Sequence, residues 1–244
     1  MRKIRLFLNV EKLEQGNQIK VFEGDFDYLT KVMRQKIGDK IFVFNGVCGE
    51  FLSEIIAIEK KSLSLEIKER VGDLKKAPNV CLAFALLKNV GIDFIAKKGV
   101  ELGVSSFQSI ITQHTIVDKI NEKRFLANVK EGLEQCERND FPSLREVKKL
   151  EKFLKEDDAQ KIYILCDESG RASKASAELS KINAQGKEIV VIIGPEGGFS
   201  ESEFAFMRAQ KNLHAISLGP RILKADTAIV AALTLVQEFL GDWK

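Results

Sequence analysis

Three loops in the second half of the chain hold the residue types from which a binding or catalytic site is made. Cys166-Asp167-Glu168-Ser169-Gly170 follows the apolar run Ile162–Leu165, GPEGGFS (Gly194–Ser200) follows Val190–Ile193, and GPRILKADTA (Gly219–Ala228) follows Ala215–Leu218. Glycine lets the backbone approach a ligand closely because no Cβ stands in the way. Arg221 and Lys224 bring positive charge, and Glu196 and Asp226 bring acid–base groups. GPEGG is not a phosphate loop of the Walker type. It lacks G-K-[ST] and carries Glu196 where a polyphosphate needs a cation, so a ligand with hydrogen-bond donors or a positive centre suits it better. Taken singly, each loop is equally well explained as a strand-to-helix turn, with Asp226 or Thr227 capping a helix and Arg221 and Lys224 solvated. Two Gly-Pro loops on consecutive strand candidates, using two of only four prolines, argue for a shared site.

These loops need a scaffold that brings strand ends together. From Asn79 onward, short apolar runs alternate with helical patterns: Val80–Leu86, a helix to Glu101, Phe107–Ile111, a helix over Glu122–Cys136, then Lys161–Cys166, Glu188–Ile193 and His214–Leu218, each with a helix candidate after it. Such alternation predicts a parallel α/β sheet, and open α/β sheets bind ligands outside the carboxyl ends of their strands. Ser200 with Glu203 makes a capping box, and Phe199 with Phe204 occupies hydrophobic-staple positions, so a helix starts just after Ser200. The last helix shows Ile229, Ala232, Leu233, Val236 and Leu240 on one face and stops at Gly241. The first 70 or so residues differ. They read as a small, mostly antiparallel barrel or sheet, with strands at Lys3–Leu8, Gln18–Phe22, Lys40–Asn45, Glu50–Ile58 and Ser62–Ile67, a helical insert at Asp25–Gln35, and a hairpin at Asn45-Gly46 with Gly49. Val71–Pro78 marks the boundary.

Composition removes whole classes. The 244 residues, 45% hydrophobic and 30% charged, suffice for a core without disulfide or metal staples. Cys48, Cys81, Cys136 and Cys166 are widely separated and read as reduced thiols. His114 and His214 are too isolated for a zinc site or a Ser-His-Asp arrangement, so no metal is expected. A net charge of +3 does not by itself argue for nucleic acid. No apolar run approaches a membrane span and the basic start MRKIRLFLNV has no long apolar segment after it, so a cytoplasmic location is expected.

GPEGGFS followed by LGPRILKADTA resembles the signature pair of the SPOUT methyltransferases, specifically of the RsmE-type family that methylates N3 of a uridine in small-subunit (16S) ribosomal RNA. Arg5 and Phe7 resemble the family's R-x-F, and Leu29–Arg34 with Gly38-Asp39 resembles H-L-x-x-V-L-R followed by G-D. Lys98 with Glu101–Val104 resembles K-x-x-E-L-G-V, and Glu134-Gln135 with Arg138 and Pro142 resembles E-Q-x-x-R-x-x-x-P. Departures are Tyr28 for His, His114 for Arg, and Lys224, Ala225 and Asp226 for Arg, Thr and Glu.

The resemblance implies a PUA-like β-barrel over residues 1–72 followed by an α/β SPOUT domain over 76–244 with a trefoil knot, a homodimer, and S-adenosylmethionine held in the knot. The cofactor would then lie on Gly194, Pro195, Glu196, Gly197, Gly198, Leu218, Gly219, Ile222, Leu223 and Thr227. Arg221, Glu196 and Asp226 are the candidates for catalysis. Arg2, Lys3, Arg5, Lys31 and Arg34, with Arg138, are the candidates for holding ribosomal RNA. A non-catalytic RNA-binding or ribosome-assembly factor on this fold, and an α/β enzyme using another nucleotide, are the alternatives; cofactor binding and turnover separate the three.

Overall fold

The computed structural model describes residues 3–86, 91–117, 119–156 and 159–243. The chain divides into two compact units, one of residues 1–76 with 133–141, the other of residues 77–132 with 142–244.

The first unit is a curled five-stranded sheet of β1 (Arg5–Phe7), β2 (Gln18–Phe22), β3 (Lys40–Phe44), β4 (Glu50–Ile58) and β5 (Ser62–Gly72), in the order β1-β3-β4-β5-β2. β1 pairs with β3 in parallel and the other ladders are antiparallel. β4 and β5 alternate buried and part-exposed residues. This period-two pattern lays Phe51, Ile55, Leu63, Leu65 and Ile67 against Leu6, Ile41 and Val43 in one core. Register shifts along the β4–β5 ladder bend the sheet. Between β3 and β4 the Asn45 side-chain oxygen accepts from the backbone N–H groups of Val47 and Cys48, at 3.1 and 2.8 Å, and so fixes the turn. Between β2 and β3, α1 (Glu23–Asp27) runs into a π-helical turn, Tyr28–Val32, that buries Leu29 in the same core.

Residues 133–141 belong to this unit because Arg5 binds them. Its guanidinium donates to the Leu133 carbonyl at 2.8 Å and the Arg138 carbonyl at 3.1 Å, and Phe7 N–H donates to Glu134 Oε1 at 2.9 Å. A division at a single boundary therefore leaves out a returning segment. The sequence shows no punctuation there, because Leu133–Cys136 continue a regular helix.

The second unit contains β6 (Val80–Ala85), α2 (Ile92–Glu101), β7 (Ser106–Ile111), α3 (Glu122–Cys136, whose last turn groups with the first unit), β8 (Ser143–Lys149), α4 (Leu150–Lys155), β9 (Lys161–Cys166), β10 (Ser173–Lys174), α5 (Ala175–Leu179), β11 (Glu188–Ile193), α6 (Glu201–Arg208), β12 (Leu213–Ser217) and α7 (Ala225–Leu240). The sheet order is β10-β12-β9-β11-β6-β7-β8, with every ladder parallel. β6 and β11 are buried along their whole length, as expected of parallel strands covered on both faces. α7 buries Ile229, Ala232, Leu233, Val236 and Leu240. β8 and α4 escape the sequence pattern, since SLREVKK is a charged, part-exposed edge strand without an apolar run.

Candidate functional site

The order β12-β9-β11 places the earlier strand β9 between the successive strands β11 and β12, and the carboxyl-end loops of all three meet around a cavity of about 540 Å³. Its walls include Cys166, Asp167 and Glu168 from the β9 loop, Gly194, Pro195, Glu196, Gly198 and Phe199 from the β11 loop, and Ser217–Asp226 from the β12 loop. Its size lies within the range of small-molecule sites.

The β11 loop is fixed at both ends. Gly198 N–H donates to the Pro195 carbonyl at 2.9 Å, closing a turn that Gly198 leaves at φ +70°, a conformation L side chains avoid. A Cβ on Gly194 would lie 2.8 Å from the Phe199 ring. Downstream, the capping box is complete: Ser200 N–H donates to Glu203 Oε2 at 2.8 Å and Glu203 N–H to Ser200 Oγ at 3.3 Å. Glu203 Oε1 also accepts from Gln113 N–H at 2.7 Å. Phe199 and Phe204 meet edge to face at 5.6 Å as the staple.

Asp167 anchors the β9 loop. Its Oδ2 accepts from Arg208 at 2.6 Å and its Oδ1 from Ser169 N–H at 2.8 Å. Burial alone would raise this carboxyl, but the bonds from Ser169 and Arg208 and the guanidinium charge outweigh it and hold Asp167 below the usual aspartate value. Beside it, burial pushes the Cys166 thiol up to about 12, which disfavours the thiolate.

Of the residues expected at the cofactor, Gly194, Pro195, Glu196, Gly198, Leu218, Gly219, Ile222 and Leu223 line the cavity, as do the candidate catalytic groups Arg221 and Asp226. Gly197 and Thr227 do not. Gly197 turns toward His114, whose Cβ would be 3.3 Å from a Cβ there, and Thr227 donates its N–H and hydroxyl to Asp226 Oδ1 at 2.6 and 3.2 Å. His114 Nδ1 lies 3.0 Å from the Gly198 carbonyl and ties the loop after β7 to the glycine turn. Asp167, Glu168 and Ser217 belong to the site as well. The only sequence signal for the first two is the polar run that ends a buried strand.

The residues expected at RNA separate into two kinds. Arg5 and Arg138 are withdrawn from that role. Arg5 is buried against Glu50 at 2.6 Å and stacks over Phe44, and Arg138 binds Asp140 through two bonds of 2.9 Å with both side chains nearly enclosed. Lys31 is exposed, paired with Asp27 at 2.8 Å, and Arg34 is exposed at φ +54°. Arg2 lies outside the described residues, and Lys3 sits 4.8 Å over the Phe42 ring. Among the described residues there is no cluster of metal-ligating side chains, and no helix is long and apolar enough to cross a membrane.

Comparison with known proteins adds relatives to this geometry. An RNA methyltransferase domain matches residues 75–237 and an RNA methyltransferase PUA domain matches residues 23–68. The chain is 28% identical to ribosomal RNA small subunit methyltransferase E of Rickettsia conorii, over 97% of this chain and 96% of that protein. It is 30% identical to the protein of the same name from Buchnera aphidicola subsp. Schizaphis graminum, over 98% and 96%. The crystal structure of ribosomal RNA small subunit methyltransferase E from Neisseria gonorrhoeae bound to S-adenosyl methionine matches over 100% of both chains, with a TM-score of 0.87 and 26% identity.

Proposed function

The chain belongs to the RNA methyltransferase family, among proteins of the ribosomal RNA small subunit methyltransferase E kind, and from that premise we propose that it transfers a methyl group from S-adenosylmethionine to N3 of a uridine in the 16S RNA of the small ribosomal subunit. The observation that carries this reading is the single cavity formed by the three loops after β9, β11 and β12. A side chain at Gly194 or Gly198 would meet Phe199 or Glu168, so the glycines hold open a cradle suited to a nucleoside-sized ligand.

S-adenosylmethionine, when bound, supplies a methyl group on a sulfonium, which needs no acid to depart. The protein's work is positioning, with N3 held roughly 3 to 3.5 Å from the methyl carbon. Backbone groups at Gly194, Pro195, Gly198 and Gly219 would supply hydrogen bonds to the adenine of the cofactor, and Leu218, Ile222 and Leu223 would give it apolar contacts. Glu196 or Asp226 accepts the N3 proton. Arg221 has no ion-pair partner among the described residues, and its guanidinium stabilises the charge that develops on O2 and O4 of the uracil.

RNA is held on the first unit at Lys31 and Arg34, two exposed cations suited to phosphate contacts, Lys31 exchanging its solvent-exposed pairing with Asp27 for one. The protein works in the cytoplasm, as a homodimer, with the chain knotted through the cofactor loops. Support for the knot is the placement of β9 between the later strands β11 and β12, together with the family resemblance. Support for the dimer is the resemblance alone, because the apolar face of α7 is buried within its own unit. Titration calorimetry tests the reading: S-adenosylmethionine binds with micromolar affinity, roughly −8 kcal/mol, and a folded protein that takes up none contradicts it.

A further inference from the structure

Glu168 is an acidic residue of the cavity to which the proposed chemistry assigns no role. It follows Asp167, which is buried and pinned by Arg208 and by the Ser169 N–H. That anchor presents the next side chain at the mouth of the cavity, where Glu168 is exposed to solvent and has no hydrogen-bond or ion-pair partner among the described residues. Its Oε1 lies 3.0 Å from the position a Cβ on Gly198 would take. The carboxylate therefore stands directly against the glycine turn.

We infer that the Glu168 carboxylate binds the ribose hydroxyls of the cofactor and sets the site's preference for a ribonucleoside. The inference rests on the methyltransferase reading and adds to it the group that recognises the sugar. β9 lies between β12 and β11, so Glu168 stands between the loop whose Leu218, Ile222 and Leu223 wall in adenine and the loop carrying the glycine turn. The ribose is the part of the cofactor that joins adenine to the sulfonium. An ionised carboxylate has two oxygens and only acceptor capacity, which matches a pair of adjacent hydroxyl donors, and acidic side chains on strand-end loops bind nucleotide ribose in this way in other α/β folds. Asp167 cannot serve, because both its oxygens are already bonded.

Calorimetry on the full-length protein tests this with Glu168→Gln and Glu168→Ala, using S-adenosylmethionine, 5′-methylthioadenosine and 2′-deoxy-5′-methylthioadenosine as probes. Methylthioadenosine keeps the sugar but has neither the sulfonium nor the amino acid. The expected result is that Glu168→Ala weakens S-adenosylmethionine and methylthioadenosine by the same factor, roughly 10- to 100-fold for a lost charged hydrogen bond. Glu168→Gln, which keeps one acceptor, falls between wild type and alanine. The wild type prefers methylthioadenosine to its 2′-deoxy form, and the alanine variant does not discriminate. Loss confined to S-adenosylmethionine would assign the carboxylate to the ammonium or sulfonium and overturn the inference, as would unchanged affinities in folded variants. Failure of the wild type to bind S-adenosylmethionine would overturn the methyltransferase reading and this inference together.

Discussion

Arg5 and Glu50 form an ion pair at 2.6 Å in which the arginine side chain is 1% exposed and the glutamate side chain 15%. Two backbone carbonyls of the segment 133–141 take further guanidinium donors. A cation enclosed in this way joins chain segments and cannot reach a phosphate.

Replacing Arg5 with alanine is therefore expected to destabilise the protein by about 3 kcal/mol, because Glu50 is left without its partner and two carbonyls lose donors. Urea denaturation measures this. Lys31→Ala and Arg34→Ala behave in the opposite way, leaving stability within about 0.5 kcal/mol while each lowers the salt slope of RNA binding by about 1.

Asp167 has its carboxyl held below the usual aspartate value by Ser169 and Arg208. A depressed folded-state pKa contributes stability above the unfolded value, near pH 4, and that contribution is lost as pH falls through the folded value. Asp167→Asn should cost roughly 1–3 kcal/mol at pH 7, allowing for the part-exposed Arg208. The gap to wild type should narrow as pH falls from about 5 to 3. Denaturant midpoints across that range check it, and a constant gap would show that the ionised pair is not the source.

Two of the strands that carry the site, β9 and β11, were legible as apolar runs ending in a polar or glycine-rich loop, whereas β12, LHAIS, is mixed and lies one residue earlier than its sequence reading. β9 and β11 match their sequence boundaries, and the capping box located the start of α6 to the residue. β8 was not legible, since as an edge strand it needs no apolar run. Arg5 was misread for a physical reason. A cation near the chain start looks the same in sequence whether it faces solvent or fills a niche, and its partners Glu50, Leu133 and Arg138 are distant in sequence. Glu168 lay in a recognised loop, but the role proposed for it rests on Asp167 being anchored by Arg208, 41 residues away.

Gly198 and Gly197 should respond differently to substitution. Gly198 has φ +70° and faces Glu168, so Gly198→Val strains the turn and should abolish measurable cofactor binding in a folded protein. Gly197→Ala sets a methyl 3.3 Å from the His114 Cβ at ordinary φ and should weaken binding only a few-fold. Calorimetry and thermal melting on the two variants decide it.

Arg221 is exposed at the cavity rim. Arg221→Ala should lower single-turnover methyl transfer about 100-fold, in keeping with loss of one oxyanion-stabilising donor, while cofactor and RNA affinities change less than about threefold. Equal losses in binding and rate would instead make it a grip on the RNA.

Methyl transfer to uridine N3 is read most directly from its product. Purified protein is incubated with methyl-labelled S-adenosylmethionine and small ribosomal subunits from cells lacking the activity, and the RNA is digested to nucleosides for chromatography and mass analysis. Label in 3-methyluridine, at one site per 16S RNA, is the predicted result. Label in a ribose-methylated or N1-methylated nucleoside, or none with protein that binds the cofactor, would contradict it.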